Sequence, residues 1–433
     1  MKRKKTAVIG AGWSGLSAAV RLAESGQTDI TLFEAGRSMG GRARTMAAAA
    51  DGFSFLDNGQ HILLYAYGGV RGLIETVGGD WRRDCLRLPL QWYLADGLRF
   101  QAACGLPAPF HVLWGIIRAN GPDWRDKAAL LRQMRRLQKH IGHTDCAVAD
   151  WLAAQGCSDT LLKNFWQPLA LGALNTPVAA ASLNTLRAVL QDGVWAKRNA
   201  ADYLLPKTDL NRLLAEPAAR YLQKRGVKIR TATRVPPLQL LENGLISCNG
   251  ETFDAVIPAA APYHTAVLLP PQTPSDIRAA FAGQPCHAIT TVYLRYPVPV
   301  GLPATVCGLA DGTVQWFFRR GDLGGQPGET AAVISASDQI GGLPPEEWIR
   351  RADADLRRIL PGLPPPSDGR AITEKRATVS SHANRIRPDC TWLRRHNIYP
   401  AGDYLHPRYP ATLEAAVQSG RDAAEKLLSA CWA

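Results

Sequence analysis

The chain has 433 residues, enough for two or three domains at roughly 150 residues each, so its core needs no disulfide or metal staple. With 46% hydrophobic and 20% charged residues, 39 glycines and 30 prolines, it is not a disordered chain, a collagen-like fibre or a coiled coil. The net charge of +13 invites nucleic acid or an anionic membrane, but the densest basic runs, Lys2 to Lys5 and Arg132, Arg135, Arg136, Lys139, lack interleaved aromatics, and no nucleic-acid partner is expected.

Nine scattered cysteines without a C-x-x-C pair suggest neither a disulfide framework nor a zinc site, and a reducing cytoplasm fits them best. No uninterrupted apolar run of ~18 residues occurs, which excludes a spanning helix and leaves peripheral contact with the inner face of a membrane open. Met1 to Ile9 resembles the start of a signal peptide, but Arg21 and Glu24 interrupt the apolar run.

That first segment has a better use. Ala7-Val8-Ile9 reads as a buried strand, Gly10-Ala11-Gly12-Trp13-Ser14-Gly15 as G-x-G-x-x-G, Leu16 to Ala23 as a helix stopped by Gly26, and Ile30 to Phe33 as the next strand. Gly10 permits the tight turn, Gly12 lets a pyrophosphate approach the backbone, and Gly15 lets the helix pack on the sheet. The helix N-terminus then receives the phosphate charge. Glu34, 24 residues after Gly10, is placed to accept ribose hydroxyls, and it argues against a 2′-phosphorylated nucleotide.

Past Glu34, the run Ala35 to Arg44 contains Gly40-Gly41-Arg42, an E-x(5)-G-G-R pattern that resembles the second fingerprint of the amine oxidase and phytoene desaturase superfamily of flavoproteins. Paired glycines let backbone pass under a pyrophosphate that Arg42 would neutralise. Lys228 to Val235, read as a strand pair, and the return strand Asp254 to Ala259 resemble the same superfamily. So does Ile398 to Asp403 followed by Pro410 to Gly420, where Asp403 would bind the ribityl chain. A helix opening near Ala411 would point its positive end at the flavin. The resemblance implies FAD held by Gly10, Gly12, Ser14, Gly15, Glu34, Ala35, Gly41, Arg42, Gly59, Gln60, Val235, Gly402, Asp403, Thr412 and Leu413. The expected fold is α/β: a Rossmann-like FAD-binding domain of the amine oxidase (GR2) type with an inserted α+β substrate domain. The former takes residues 1–80, 204–265 and 385–433, and the latter 81–203 and 266–384.

Within the insertion, residues 107–200 read as helical: Lys127 to Ile141 is basic and amphipathic, and Leu161 to Leu171 and Ala180 to Leu190 carry apolar residues at helical spacing. Ala288 to Tyr296, Gly312 to Arg319 and Thr330 to Ser337 read as strands between Gly/Pro turns, and Pro361 to Pro366 as a stiff turn. The basic helix is expected to be a solvated face, with a membrane-surface or partner contact as the functional alternative.

Three further segments are similar to the squalene-associated FAD-dependent desaturases, or hydroxysqualene dehydroxylases. They are Asp57-Asn58-Gly59-Gln60-His61, Asn164 to Leu169 with Ala173 to Pro177, and Leu205 to Leu210. That resemblance implies reductive removal of the hydroxyl of a C30 isoprenoid, with electrons from an unidentified external donor, since no second G-x-G-x-x-G occurs. The resemblance implies that Gly59-Gln60-His61 approaches the flavin ring, so His61, beside Gln60, is the candidate acid, since an imidazolium near neutral pH can give a proton without a large pKa shift. The alternative is an imidazole merely hydrogen-bonded to flavin or backbone, while Asp57 reads as structural. Trp92, Tyr93, Trp166, Trp316 and Phe317 are candidate π faces for a cation, each weighed against ordinary core packing. His140 and His143 lack a further ligand, so no metal site is expected. The alternatives are a carotenoid-type desaturase, an amine oxidase whose lysine would be Lys207 or Lys375, and a flavin-binding scaffold without turnover.

Overall fold

The computed structural model describes residues 3–48 and 52–430; Lys2 of the basic run and Cys431 lie outside the described residues. Strand β1 (Lys4–Ile9) is buried from Thr6 onward, the continuous run of a strand covered on both faces. Helix α1 (Trp13–Ser25) follows and ends at Gly26, whose φ of 64° lets its N–H reach Ala23 O. Strand β2 (Thr28–Phe33) then pairs with β1 in parallel, Val8 opposite Leu32. Two later segments complete the sheet, β3 (Lys228–Arg230) beside β2 and β4 (Ala255–Pro258) beside β1, in the order β3-β2-β1-β4. The pairing expected to continue from 228 to 235 stops at Arg230. There Ala232 takes a left-handed φ of 50°, and Ala232 N and Thr233 N bond back to Gly36 O and Glu34 O.

The second sheet is antiparallel, with β5 (Cys286–Arg295), β6 (Val306–Gly308), β7 (Trp316–Arg319), β8 (Glu329–Ser335) and β9 (Asp368–Val379) in the order β6-β7-β8-β5-β9. Strand β7 is shorter than expected, because Gly312 to Gln315 forms the approach to it rather than part of it. Strand β9 was not expected at all, since Arg370, Glu374, Lys375 and Arg376 give it the charge of a loop.

Between the sheets' segments stand α2 (Phe110–Ile117), α3 (Trp124–Lys139), α4 (Gln167–Leu174) and α5 (Leu183–Leu190). Helix α4 is entered through a π turn, Leu162–Trp166, and α5 leaves through another, Gln191–Trp195. Such turns are frequent at functional sites. Helix α6 (Leu413–Ala430) closes the chain and opens two residues later than Ala411. It crosses α1 so closely that a Cβ at Gly420 would lie 2.0 Å from Ser14 O, and Ser17 Oγ donates to Val417 O at 2.7 Å. The C-terminus is thereby brought over the glycine-rich turn of the N-terminus.

Candidate functional site

One cavity of about 1010 Å³ runs from that turn to the helical insertion. It stands at the top of the range of about 300–1,000 Å³ usual for small-molecule sites, so it has room for more than one ligand. Its two ends differ in chemistry.

The first end is backbone. Gly10, Gly12 and Ser14 line it, while Gly15 does not: a Cβ there would lie 1.8 Å from Gly10 O and 3.2 Å from the Ala259 Cβ, so Gly15 sets the packing of α1 on the sheet. The second glycine motif packs on the first. Gly40 N donates to Ala11 O at 2.9 Å, and Gly41, with a φ of 64°, would bring a Cβ to 2.9 Å from Gly12 Cα. The first turn of α1 holds no acidic residue and no side-chain cap, and Ser14 Oγ is buried without a partner. Unpaired donors at a helix N-terminus are what a pyrophosphate needs, and these residues fit one.

Glu34 does more than await a ribose. Its Oε2 accepts from Ala11 N and its Oε1 from Gly36 N, both at 2.7 Å, so the carboxylate also braces the turn, with Ala35 and Val235 on the cavity wall beside it. Arg42 and Asp403, read from sequence as separate contacts to the cofactor, face each other. Arg42 Nη2 lies 2.8 and 2.7 Å from the two Asp403 oxygens, and Arg42 Nη1 donates to Ala377 O. Gly402 N is held by Ser419 Oγ at 3.0 Å, and Thr412 Oγ1 accepts from Ala415 N, capping α6 beside Leu413. Glu414, in the first turn of α6, puts its carboxylate on Gly69 N and Val70 N of the helix Gly68–Thr76. An acid therefore stands at the helix end expected to present positive charge.

The middle of the cavity is Asn58 to Leu64. Asn58 Nδ2 donates to Arg42 O and Glu374 Oε2, at 2.9 and 3.0 Å, and Tyr293 Oη donates to Asp57 O. Below lies a fully buried ion pair, Arg320 with Glu329, whose other oxygen accepts from Ser54 N. Removing one member of such a pair costs about 3–5 kcal/mol, and this pair anchors the segment that turns into Gly59. Gln60 and His61 line the cavity there, and His61 Nδ1 lies 2.9 Å from Gly59 O. That contact makes Nδ1 the donor and leaves Nε2 as the acceptor of a neutral ring. Burial lowers the His61 pKa despite the Gly59 carbonyl, so the expectation of an imidazolium without a pKa shift is not met.

The far end is apolar. Leu90, Trp92, Leu169, Leu171, Val189, Leu190 and Val194 face Trp316, Phe318 and Val333 of the second sheet. Trp92 and Trp316 meet edge to face at 5.1 Å. The other aromatic candidates do not reach the cavity: Trp166 is fully buried with Nε1 on Gln133 Oε1, Phe317 lies in a separate core, and Tyr93 lies under Arg99. The sequence gives no sign of Asp192, which lines the cavity from a π turn and accepts from Arg408 Nε and Nη2 and from Tyr409 Oη. Among the described residues no lysine lines the cavity, and Lys207 and Lys375 are exposed. His140 and His143 stack on each other at 4.5 Å, and no described group of three or more His, Cys, Asp or Glu is placed to hold a metal.

The segments behind the closer resemblance are largely fasteners. Asn175 caps α4 in a left-handed conformation, accepts from Ala336 N at 2.7 Å and donates to Thr378 Oγ1, tying the helices to the second sheet. Asn164 O accepts from Trp92 Nε1, and Asp209 holds Thr45 Oγ1 and Arg212 N.

A nucleotide turn, a second glycine motif on it and a C-terminal helix folded over both define a dinucleotide-binding oxidoreductase. Residues 13–428 match the family model described as flavin containing amine oxidoreductase, and the chain belongs to that family. Its cofactor is FAD. The chain is 30% identical to a hydroxysqualene dehydroxylase of Rhodopseudomonas palustris over 99% of each chain. It is 24% identical to the 15-cis-phytoene desaturase of Capsicum annuum, over 97% of this chain and 77% of that one. Among solved structures, cyclohexylamine oxidase from Brevibacterium oxydans superposes with a TM-score of 0.74 at 15% identity, covering 99% of this chain and 100% of that one, a likeness of fold.

Proposed function

We propose that the protein reductively removes the hydroxyl group of hydroxysqualene, giving squalene and water, with electrons entering through FAD from a separate donor. The supporting observation is one cavity that joins a phosphate-binding turn to an apolar channel with no lysine among its described lining residues. FAD bound at the first end supplies a hydride equivalent. The chain's own residues do the rest. Gly10, Gly12, Ser14, Gly41 and the α1 N-terminus would hold the pyrophosphate, and Glu34 the ribose. Thr412, Leu413 and the Arg42–Asp403 pair would close over the other half. The channel excludes water from an allylic cation and offers it the Trp92 and Trp316 rings. His61, with Gln60 beside it, is the proposed source of the proton that turns the leaving hydroxyl into water. The step balances: alcohol, hydride and proton give hydrocarbon and water.

The desaturase reading uses the same cavity in the oxidative direction, and the relatives named for it are matched at lower identity. Anaerobic mixing separates the two. Photoreduced holoprotein with hydroxysqualene is expected to reoxidise its flavin and yield extractable squalene. A conjugated polyene formed by the oxidised protein would replace this reading with desaturation. We also propose that the protein works at a membrane surface, where a C30 hydrocarbon resides.

A further inference from the structure

Helix α2 has two apolar faces. One packs inward: Val112 and Ile116 join the core that holds Trp92, a wall of the cavity. The other is open, with Phe110 59%, Trp114 46% and Ile117 52% exposed at helical spacing, and Trp124 at the start of α3 73% exposed. A soluble surface rarely gathers four large apolar side chains in fifteen residues, and such a patch marks a contact. Its rim is cationic. The Arg118 and Arg125 guanidinium groups lie 5.6 Å from the Trp114 and Trp124 ring centres, and α3 exposes Arg132, Arg135, Arg136 and Lys139 while burying Leu130, Met134 and Leu137. Both acids in this stretch are engaged, Asp123 capping α3 through Asp126 N and Asp126 accepting from Ser158 Oγ.

From this geometry we infer that α2 and Trp124 dock in the headgroup region of an anionic phospholipid bilayer, with the α3 arginines on its phosphates. Apolar aromatics level with arginines are the chemistry of a membrane interface, and positive charge selects anionic lipid over a neutral apolar partner. Eight residues are too few to span, so the helix lies in the surface. The basic run Lys127 to Ile141, for which a membrane surface is the alternative to a solvated face, supplies the charge; the apolar anchor is α2 with Trp124. This surface rests on the reading that the protein meets a membrane, and not on the reaction assigned to the cavity.

The test is cosedimentation of FAD-loaded protein with vesicles of phosphatidylcholine, alone or equimolar with phosphatidylglycerol. Wild type is expected in the anionic pellet. The F110S/W114S/I117S variant should bind about tenfold or more weakly. The R132Q/R135Q/R136Q variant should lose its preference for phosphatidylglycerol and the salt sensitivity of binding. Both variants should keep FAD and wild-type turnover of detergent-solubilised hydroxysqualene. Wild type that stays in the supernatant overturns the proposal and leaves the face to a protein partner. An F110S/W114S/I117S variant that pellets like wild type overturns it as well. Turnover is not needed for the binding measurement, so a chain that docks and fails to make squalene refutes the reaction and leaves the surface standing.

Discussion

The two ends of the cavity are built by opposite means. At the pyrophosphate of the cofactor end, backbone does the work: glycines bring main chain to within contact, and the side chains beside that turn, Glu34 and Ser14, sit within 24 residues of Gly10. At the substrate end, side chains from α4, α5, β7 and β8 converge over long distances in sequence. The cofactor end thus depends on single atoms, whereas the substrate end depends on a collective apolar surface. Substitutions should therefore act sharply at one and gradually at the other.

The sharpest break is at the glycines. Gly15→Ala would force a Cβ to 1.8 Å from Gly10 O, and we expect loss of folded, soluble protein. Gly12→Ala meets only Gly41 Cα, at 3.6 Å, so this variant should fold with a thermal midpoint near wild type and purify without FAD. Retention of FAD by Gly12→Ala would mean that the pyrophosphate does not pass over this turn.

His61 lies where the two ends meet. His61→Ala should retain FAD and slow squalene formation by about a hundredfold or more. Because burial lowers the His61 pKa, its protonated form grows only as pH falls below the ordinary histidine range. Turnover should thus rise toward acid with an apparent pKa under 6.5, and the variant should lack that limb. An unchanged pH profile in the variant would leave His61 a structural role.

Under the junction, burial pushes the Asp57 carboxyl up to about 7, against the lowering by the Leu210 N–H and Thr45. Between its ordinary 3.8 and about 7 the folded protein binds a proton that the unfolded chain releases, so stability falls as pH rises through that window. Asp57→Asn should flatten this dependence, a difference on the order of a few kcal/mol, readable as thermal midpoints across the window. The smallest effect expected is Glu34→Gln, whose single amide oxygen keeps one of the two braces to backbone and loses the other, and which should loosen FAD by about tenfold.

This contrast also explains what could be read from the sequence. Gly10, Gly12, Gly15 and Glu34 are legible because the chemistry dictates residue type and spacing within one strand, turn and helix. The pairing of Arg42 with Asp403 is not, since those residues are 361 positions apart and nothing within either motif points to the other. Asp192 and Tyr409 meet across 217 positions, and a lone Asp in a helical stretch gives no signal of facing a cavity. Trp166 and Phe317 have the same residue chemistry as Trp92 and Trp316, and only packing decides which ring reaches the channel. Strand β9 was hidden because its exposed charges obscure the alternation that pairs it with β5.

The central claim is that the two ends form one space. Titrating oxidised, FAD-loaded protein with squalene and following the flavin absorption band tests it directly. A shared cavity predicts a saturable change in the band as hydrocarbon replaces water beside the flavin, weakened in a Leu171→Arg variant that still carries FAD. Saturable squalene binding with an unaltered flavin spectrum would place the lipid elsewhere and contradict the account.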